Sequence, residues 1–282
     1  MRTLHPAVLA AVLTLAALST AAPRLHAQAA DTLAATLDRG RFIVLDHGQP
    51  VATERFEYDR VADSLQVSAV IERRIRSKDG SIKPFRKSVS LIVDAFDYGL
   101  RRYTSRTEFD GHVTVKGVLP SDTVMTVYTE NDDAGTADRL VMPPGRLFVM
   151  DPLVFTLFDV VCHNIQGHIL KTRPISIVTL GQTSATSEAT VTVAGADTVM
   201  WAGKRTVTAR YTITDESSTF QVWASPKGEL LRLEHEASGL VVMRDETGGS
   251  APATRAPAKK PARKPAAGAA PKVAAPKTAK KG

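Results

Sequence analysis

Residues 217–244, SSTFQVWASPKGELLRLEHEASGLVVMR, read as three consecutive antiparallel strands. Phe220, Val222 and Ala224 alternate with Gln221, Trp223 and Ser225, the period of two that sends successive side chains to opposite faces of a sheet. The turn Ser225-Pro226-Lys227-Gly228 supplies a proline, whose φ is held near about −65°, and a glycine that accepts positive φ where the hairpin closes. Leu230 to Glu236 then runs back, and Ser238-Gly239 launches Leu240 to Arg244. The stretch decides for an all-β fold. Trp223 raises a question of its own: it lies opposite Phe220, Val222 and Ala224, so both faces of this strand carry apolar weight. Either the sheet is covered on both sides, or one face lines a groove for an apolar ligand.

The same alternation extends upstream. Gly40 to Leu45 and Val51 to Tyr58 flank the turn His47-Gly48-Gln49-Pro50, and Ser64 to Ile75 precedes Ser77-Lys78-Asp79-Gly80. Further strands are expected at Phe85–Asp94, Leu100–Glu108, His112–Leu119, Thr123–Glu130, Asp138–Met142, Ile175–Leu180, Thr186–Val193, Thr198–Trp201 and Arg205–Thr214. Asp31 to Asp38 reads as a short, weakly helical lead-in. One other segment breaks the alternation: Leu153, Leu157, Val160 and Val161 recur at helical spacing, with Pro152 suited to a first turn and Gly167 to a stop. A single helix, Pro152 to about Asn164 and apolar nearly all round, is expected. The architecture that follows is a strongly curved antiparallel sheet, a half-barrel wrapped around a central apolar helix.

The two ends of the chain differ from its middle. Arg2 followed by the apolar run Ala7–Leu18 has the length of a secretory signal rather than of a spanning helix. Both Leu25-His26-Ala27 and Ser19-Thr20-Ala21 offer small-residue cleavage sites, the first being preferred, which gives a signal over 1–27 and a lead-in over 28–39. No cysteine lies near the cleavage region to accept a lipid. The half-barrel domain is expected over 40–246 and a disordered tail over 247–282. From Ala251 the chain contains only Ala, Pro, Lys, Arg, Gly, Thr and Val, too little apolar bulk to offset the entropy of ordering. This tail carries seven Lys and two Arg and no acid, and the signal adds Arg2 and Arg24; removing these from the net charge of +7 leaves −4 on residues 28–250. The basic character therefore belongs to the ends, and a mildly acidic domain argues against a nucleic-acid partner. Lys259, Lys260, Arg263, Lys264, Lys280 and Lys281 are the candidates for contact with an anionic envelope polymer or lipid head group. With signal cleavage no transmembrane span is left, and the expected location is periplasmic or secreted, in a bacterium. Cys162 is the one cysteine, so no intrachain disulfide can form.

Three groups of residues carry a family resemblance: Gly40-Arg41-Phe42-Ile43-Val44 with Gly48 and Thr53-Glu54-Arg55-Phe56; Met142-Pro143-Pro144-Gly145 with Asp151-Pro152-Leu153-Val154-Phe155; and Val222-Trp223 with Lys227-Gly228-Glu229-Leu230-Leu231-Arg232-Leu233-Glu234 and Arg244. Together, over roughly residues 38–245, they resemble exported bacterial domains of unknown function that share the half-barrel of the lipoprotein-localisation carriers (LolA-like and LolB-like). The resemblance implies a wrapped sheet whose hydrophobic concavity, in the carriers, receives acyl chains. It implies no catalytic residues.

Chemistry-bearing motifs are sparse. Cys162-His163 with His168 could be a nucleophile and base or a soft metal site. However, neighbours on a helix point about 100° apart, and no third ligand is evident. A buried cysteine with two histidines near a helix C-terminus is the plainer reading. Asn131-Asp132-Asp133-Ala134-Gly135 lacks the spacing of a calcium loop. No G-x-S-x-G and no phosphate-cradling glycine loop occur. Arg73-Arg74-Ile75-Arg76 and Arg101-Arg102 read as exposed strand faces. The expectation is a non-enzymatic exported protein without catalytic residues, metal or cofactor. It would bind an apolar or amphipathic ligand such as a lipid or lipoprotein through Trp223, Phe155, Phe158 and Leu157. The alternative is an envelope-associated structural or interaction protein acting through its basic tail.

Overall fold

In the computed structural model, residues 35–77, 79–132, 134–166 and 172–245 of the chain are described. The expected signal, most of the lead-in, the basic tail, Gly167 and His168 lie outside the described residues.

Nearly everything described belongs to one sheet of fifteen strands. In chain order these are β1 Ala35–Asp46, β2 Gln49–Val61, β3 Ser64–Arg76, β4 Ile82–Asp94, β5 Leu100–Phe109, β6 His112–Pro120, β7 Val124–Asn131, β8 Ala134–Val141, β9 Leu147–Met150, β10 Thr172–Leu180, β11 Ser184–Trp201, β12 Lys204–Thr214, β13 Thr219–Ala224, β14 Leu230–His235 and β15 Leu240–Arg244. Between β9 and β10 lies α1, Thr156–Ile165. The spatial order is β8-β7-β6-β5-β4-β3-β2-β1-β15-β14-β13-β12-β11-β10-β9. Two meanders therefore run outward from a central β1–β15 pair, in which Phe42 faces Arg244 and Val44 faces Val242. All pairs are antiparallel except β9–β10, which is parallel.

A sheet of this width curls, because each strand twists relative to its neighbour. The curl brings β9 against β5, and Lys116 on β6 donates to the carbonyls of Leu180 and Gly181 at the end of β10. The two wings thus meet around α1. Nine of the ten α1 residues are buried, His163 being the one that is not. Facing it are the inward rows of the strands, in which Phe42 stacks on Phe56 with ring centroids 4.7 Å apart and Phe56 meets Tyr58 edge-on at 5.9 Å. The all-β half-barrel around an apolar helix is the observed architecture.

Several local expectations are corrected. Residues 35–39, expected in the lead-in with the segment up to Asp38 weakly helical, are strand: Ala35 pairs with Arg60 and Arg39 with Glu57 on β2, so the ladder takes them. Thr186–Val193 and Thr198–Trp201 are one strand, because the chain passes Gly195 as a bulge at φ 117° instead of turning. Leu147–Met150, not expected as a strand, pairs with β10. The helix begins at Thr156 rather than Pro152, since Leu153 takes a positive φ of 72° that an α-helix cannot include.

The outer face, out of phase with the inward Val118 and Val127, carries one close approach. Gly117 and Tyr128 are register partners on β6 and β7, and a Cβ on Gly117 would fall 2.2 Å from the Tyr128 ring. The tyrosine covers the glycine, a known device for sheet glycines. Gly117→Val should therefore destabilise the protein by about 1–3 kcal/mol in urea unfolding. The double variant Gly117→Ala/Tyr128→Ala should lose less than the sum of its single variants.

Candidate functional site

α1 has no capping side chain of its own: Phe155 stands at the N-cap. The exposed amides of the first turn are met instead from β2. Phe155 N–H donates to Glu54 Oε2 at 2.7 Å, Thr156 N–H to Oε1 at 3.1 Å, and the Thr156 hydroxyl to Oε1 at 2.5 Å. A carboxylate placed there satisfies orphan donors and complements the positive end of the helix dipole. Glu54 is nevertheless 0 % exposed. Burial pushes its carboxyl up to about 7 against the pull of these hydrogen bonds.

A second buried carboxylate closes the loop before α1. Asp151 pairs with Lys87 of β4 and accepts from the Tyr103 hydroxyl at 2.6 Å and the Ser105 hydroxyl at 2.8 Å, both on β5. Lys87 also donates to the Pro152 carbonyl at 3.1 Å. Burial lowers the Lys87 ammonium, opposed by the charge of Asp151. A third, Asp159, projects from the helix and accepts the Leu230 N–H at 2.5 Å, joining α1 to the start of β14.

Held in this way, the N-terminal end of α1 forms one wall of a cavity of about 380 Å³. Phe155 and Phe158 meet Ile177, Ile213, Phe220 and Leu240 across it. Phe158 and Phe220 lie 4.9 Å apart, and Phe220 stacks on His235 at 4.7 Å. The rim is polar: Asp215, Ser217, Ser218 and His235 border both this cavity and a more polar groove of about 550 Å³ that runs past Glu216 and Glu236. Asp215 Oδ1 holds the rim by accepting the Ser217 and Ser218 amides at 2.8 and 2.7 Å.

Of the four residues expected to meet a ligand, Phe155 and Phe158 line this cavity, and Leu157 and Trp223 do not. Leu157 packs on the other side of α1 against Leu91, Leu147 and Val149, in filled core. Trp223 is on the outer face of the sheet and still only 8 % exposed. Its indole N–H donates to Asp197 Oδ2 at 2.9 Å, and the guanidinium of its register partner Arg232 lies 5.7 Å from its ring. The sheet is covered on both sides here because β11 reaches over β14. The tail cations lie outside the described residues.

Cys162 is fully buried, and burial pushes its thiol well above the ordinary range, the opposite of an activated nucleophile. His163 turns away from it, stacked on Tyr98 at 6.1 Å and edge-on to Tyr58 at 5.7 Å. None of the polar residues that position the helix, Glu54, Lys87, Asp151 and Asp159, was given that role from sequence, although Glu54 and Asp151 stand among the residues of the family resemblance. A signal existed: Glu54 shares the inward row of β2 with Ala52, Phe56 and Tyr58, and Lys87 that of β4 with Val89, Leu91 and Val93.

No family description matches the chain, and no curated protein matches it. Two solved structures resemble it in shape. One is a beta-barrel-like protein of the domain-of-unknown-function family DUF1849 from Brucella abortus, at TM-score 0.48 and 8% identity, covering 73% of this chain and 94% of that one. The other is a DUF1089 family protein from Pseudomonas aeruginosa, at TM-score 0.43 and 11% identity, covering 67% and 90% respectively.

The buried carboxylates have a consequence for pH. Glu54 titrates at 4.5 when unfolded and at about 7 when folded, so between these values the folded state holds the extra proton and stability falls as pH rises. Asp159, also raised from its ordinary 3.8 by burial, acts in the same direction. Glu54→Gln should therefore flatten the decline in unfolding free energy between about pH 5 and 7.5 by on the order of 2 kcal/mol, read from urea titrations at each pH.

Proposed function

We propose that this protein is an exported, non-enzymatic binding protein that holds an apolar or amphipathic cell-envelope ligand, a lipid or the acyl chain of a lipoprotein, in the cavity beside α1. The cavity is the observation that carries this reading. Its volume of about 380 Å³ is within the usual span of small-molecule sites, about 300–1,000 Å³, and its walls are aromatic and aliphatic with a few polar groups at one side. At roughly 30 Å³ per heavy atom, the share of a water molecule in the liquid, it takes on the order of a dozen atoms, a short acyl segment rather than a whole lipid. Each buried methylene contributes about 0.8 kcal/mol, so such a segment accounts for affinity in the micromolar range after the cost of association. Asp215, Ser217, Ser218 and His235 leave a polar exit for the ligand's head. The secretory signal and the resemblance to the lipoprotein-localisation carriers favour a ligand of the envelope.

A second reading rests on charge. The tail after residue 250 carries nine cations beside a domain of net charge −4, and suits an interaction protein that holds anionic polymers through Lys259, Lys260, Arg263, Lys264, Lys280 and Lys281. Binding of that kind weakens steeply with salt and disappears when residues 251–282 are deleted. Binding in the cavity does neither.

The test is displacement of a fluorescent fatty-acid analogue from the full chain by dodecanoic acid and by dodecanol. Saturable micromolar binding is expected. Leu240→Trp, which puts bulk into the cavity mouth, should weaken it at least about tenfold, equivalent to about 1.4 kcal/mol, while the melting temperature stays within a few degrees. If neither amphiphile binds saturably, the carrier reading fails.

A further inference from the structure

We propose that Asp38, Asp159 and His163 form a binding site for a divalent first-row transition ion, of which zinc is the natural probe, at the junction of β1 and α1. Each residue offers one ligand atom, and these atoms lie within 4.8 Å of one another. His163 Nε2 is 3.7 Å from Asp159 Oδ2. Two donors on one tetrahedral ion with bonds of about 2.1 Å lie roughly 3.4 Å apart, so this pair is already close to ligating distance. The two residues stand at i and i+4 on one face of α1, the spacing by which a helix presents paired ligands. The third donor comes from a strand more than a hundred positions earlier.

Two of the three donor atoms, both carboxylate oxygens, have no hydrogen-bond partner within the protein, and this points to a ligand independently of the spacing. Asp159 is 0 % exposed; its Oδ1 accepts the Leu230 amide, and its Oδ2 is buried outside hydrogen-bond geometry of any donor, the Tyr58 hydroxyl, which faces the carboxyl, being directed to the Thr156 carbonyl at 3.4 Å. Asp38 repeats the pattern: Arg244 occupies Oδ1 at 2.6 Å, and Oδ2 is buried without a partner. A buried, unpaired carboxylate oxygen is costly, and two of them converging on one imidazole nitrogen is an arrangement a cation relieves. His163 is held for the purpose by Tyr58 and Tyr98. Its side chain is 16 % exposed and that of Asp38 19 %, which leaves a route for an ion from solvent.

The charges facing the cluster set what it would take. Arg244, whose guanidinium is also 5.0 Å from the Phe56 ring, donates to Asp38 through Nη2, keeps Nη1 buried without a hydrogen-bond partner, and acts on both carboxylates while cancelling one of their two charges. With a neutral imidazole the cluster then carries a net −1, suited to a divalent rather than a monovalent ion. Arg244 would act as the outer partner that orients Asp38, as ligating carboxylates usually require. The imidazole donor favours zinc and its neighbours over calcium or magnesium, which prefer all-oxygen shells. These residues are not among the walls of the apolar cavity, so the ion would tie α1 to β1 and would not meet the ligand proposed above.

The experiment uses the full chain. Metal content is measured after dialysis against zinc chloride, cobalt(II) is titrated for its visible absorption, and melting is followed with zinc and with EDTA. One tightly held equivalent is expected, with a melting temperature that rises with zinc concentration as linkage requires. Asp159→Asn, which keeps an acceptor for Leu230, and the partly exposed His163→Gln should each weaken cobalt binding at least about tenfold. His47→Ala and His112→Ala, at the exposed pairs with Asp46 and Asp132, should leave it unchanged. His163→Gln melting like the parent in EDTA separates loss of metal from loss of fold. No bound metal and no zinc-dependent melting, or binding that survives both site variants, overturns the proposal and leaves the two carboxylates hydrated by water only.

Discussion

The carboxylate of Glu54, set across the first turn of α1, is the interaction on which the interior depends. A helix enclosed by a rolled sheet cannot leave its first amides to water, and α1 has no cap in its own sequence. Glu54 meets those donors from a strand that precedes the helix by about a hundred residues. The arrangement carries a cost, because the same burial that makes the hydrogen bonds strong also resists ionisation. Asp151 and Asp159 extend the logic along the helix, one pinning the preceding loop to β4 and β5, the other taking the amide that starts β14. α1 is thereby fastened to both wings of the sheet by directional contacts, whereas apolar packing alone would let it slide or rotate.

This fastening explains why there is a cavity at all. An apolar helix free to settle would sink until the space beside it closed, since interiors pack to near-crystalline density. With Phe155 tethered through its amide to Glu54, and Asp151 held by Lys87, Tyr103 and Ser105, the N-terminal end of α1 stands off from Ile177, Ile213 and Leu240. On the other side, Leu157 and Val160 close against Leu91, Leu147 and Val149. One helix thus has a filled side and an open side.

Much of the architecture was legible because it rests on short-range chemistry. The period-two rows and the turn at Ser225–Gly228 gave most of the strands, and the dense apolar run gave the helix. The errors fell where a distant partner overrides local preference. Pro152 looked like a helix start, but Lys87 holds the Pro152 carbonyl, Leu153 takes a positive φ, and the helix begins at Thr156, where Glu54 meets the first amides. Thr186–Val193 and Thr198–Trp201 read as two strands, but β12 continues alongside both and the chain bulges at Gly195 instead of breaking. Leu157 shares its helix with Phe155 and Phe158, and which side of that helix would be open is a tertiary matter. The Trp223 face read either as covered or as a groove, and alternation could not choose between them because its cover comes from other strands, Arg232 on β14 and Asp197 on β11. The charged residues of the interior were the most readable omission. Asp38, Glu54, Lys87 and Arg244 each sit in phase with an inward apolar row, and a charge in that phase asks for a buried partner. His163 was weighed against Cys162 beside it, when its partner on the helix face is Asp159, four residues back.

Native-state hydrogen exchange of individual amides tests the claim of a fastened helix most directly. If α1 is anchored as described, the amides of Phe155, Thr156 and Leu230 exchange only with global unfolding, at the same free energy as the central strands β1 and β15. If those three amides exchange by local opening while β1 and β15 stay protected, the helix is not fastened, and the account of the cavity that depends on it is wrong.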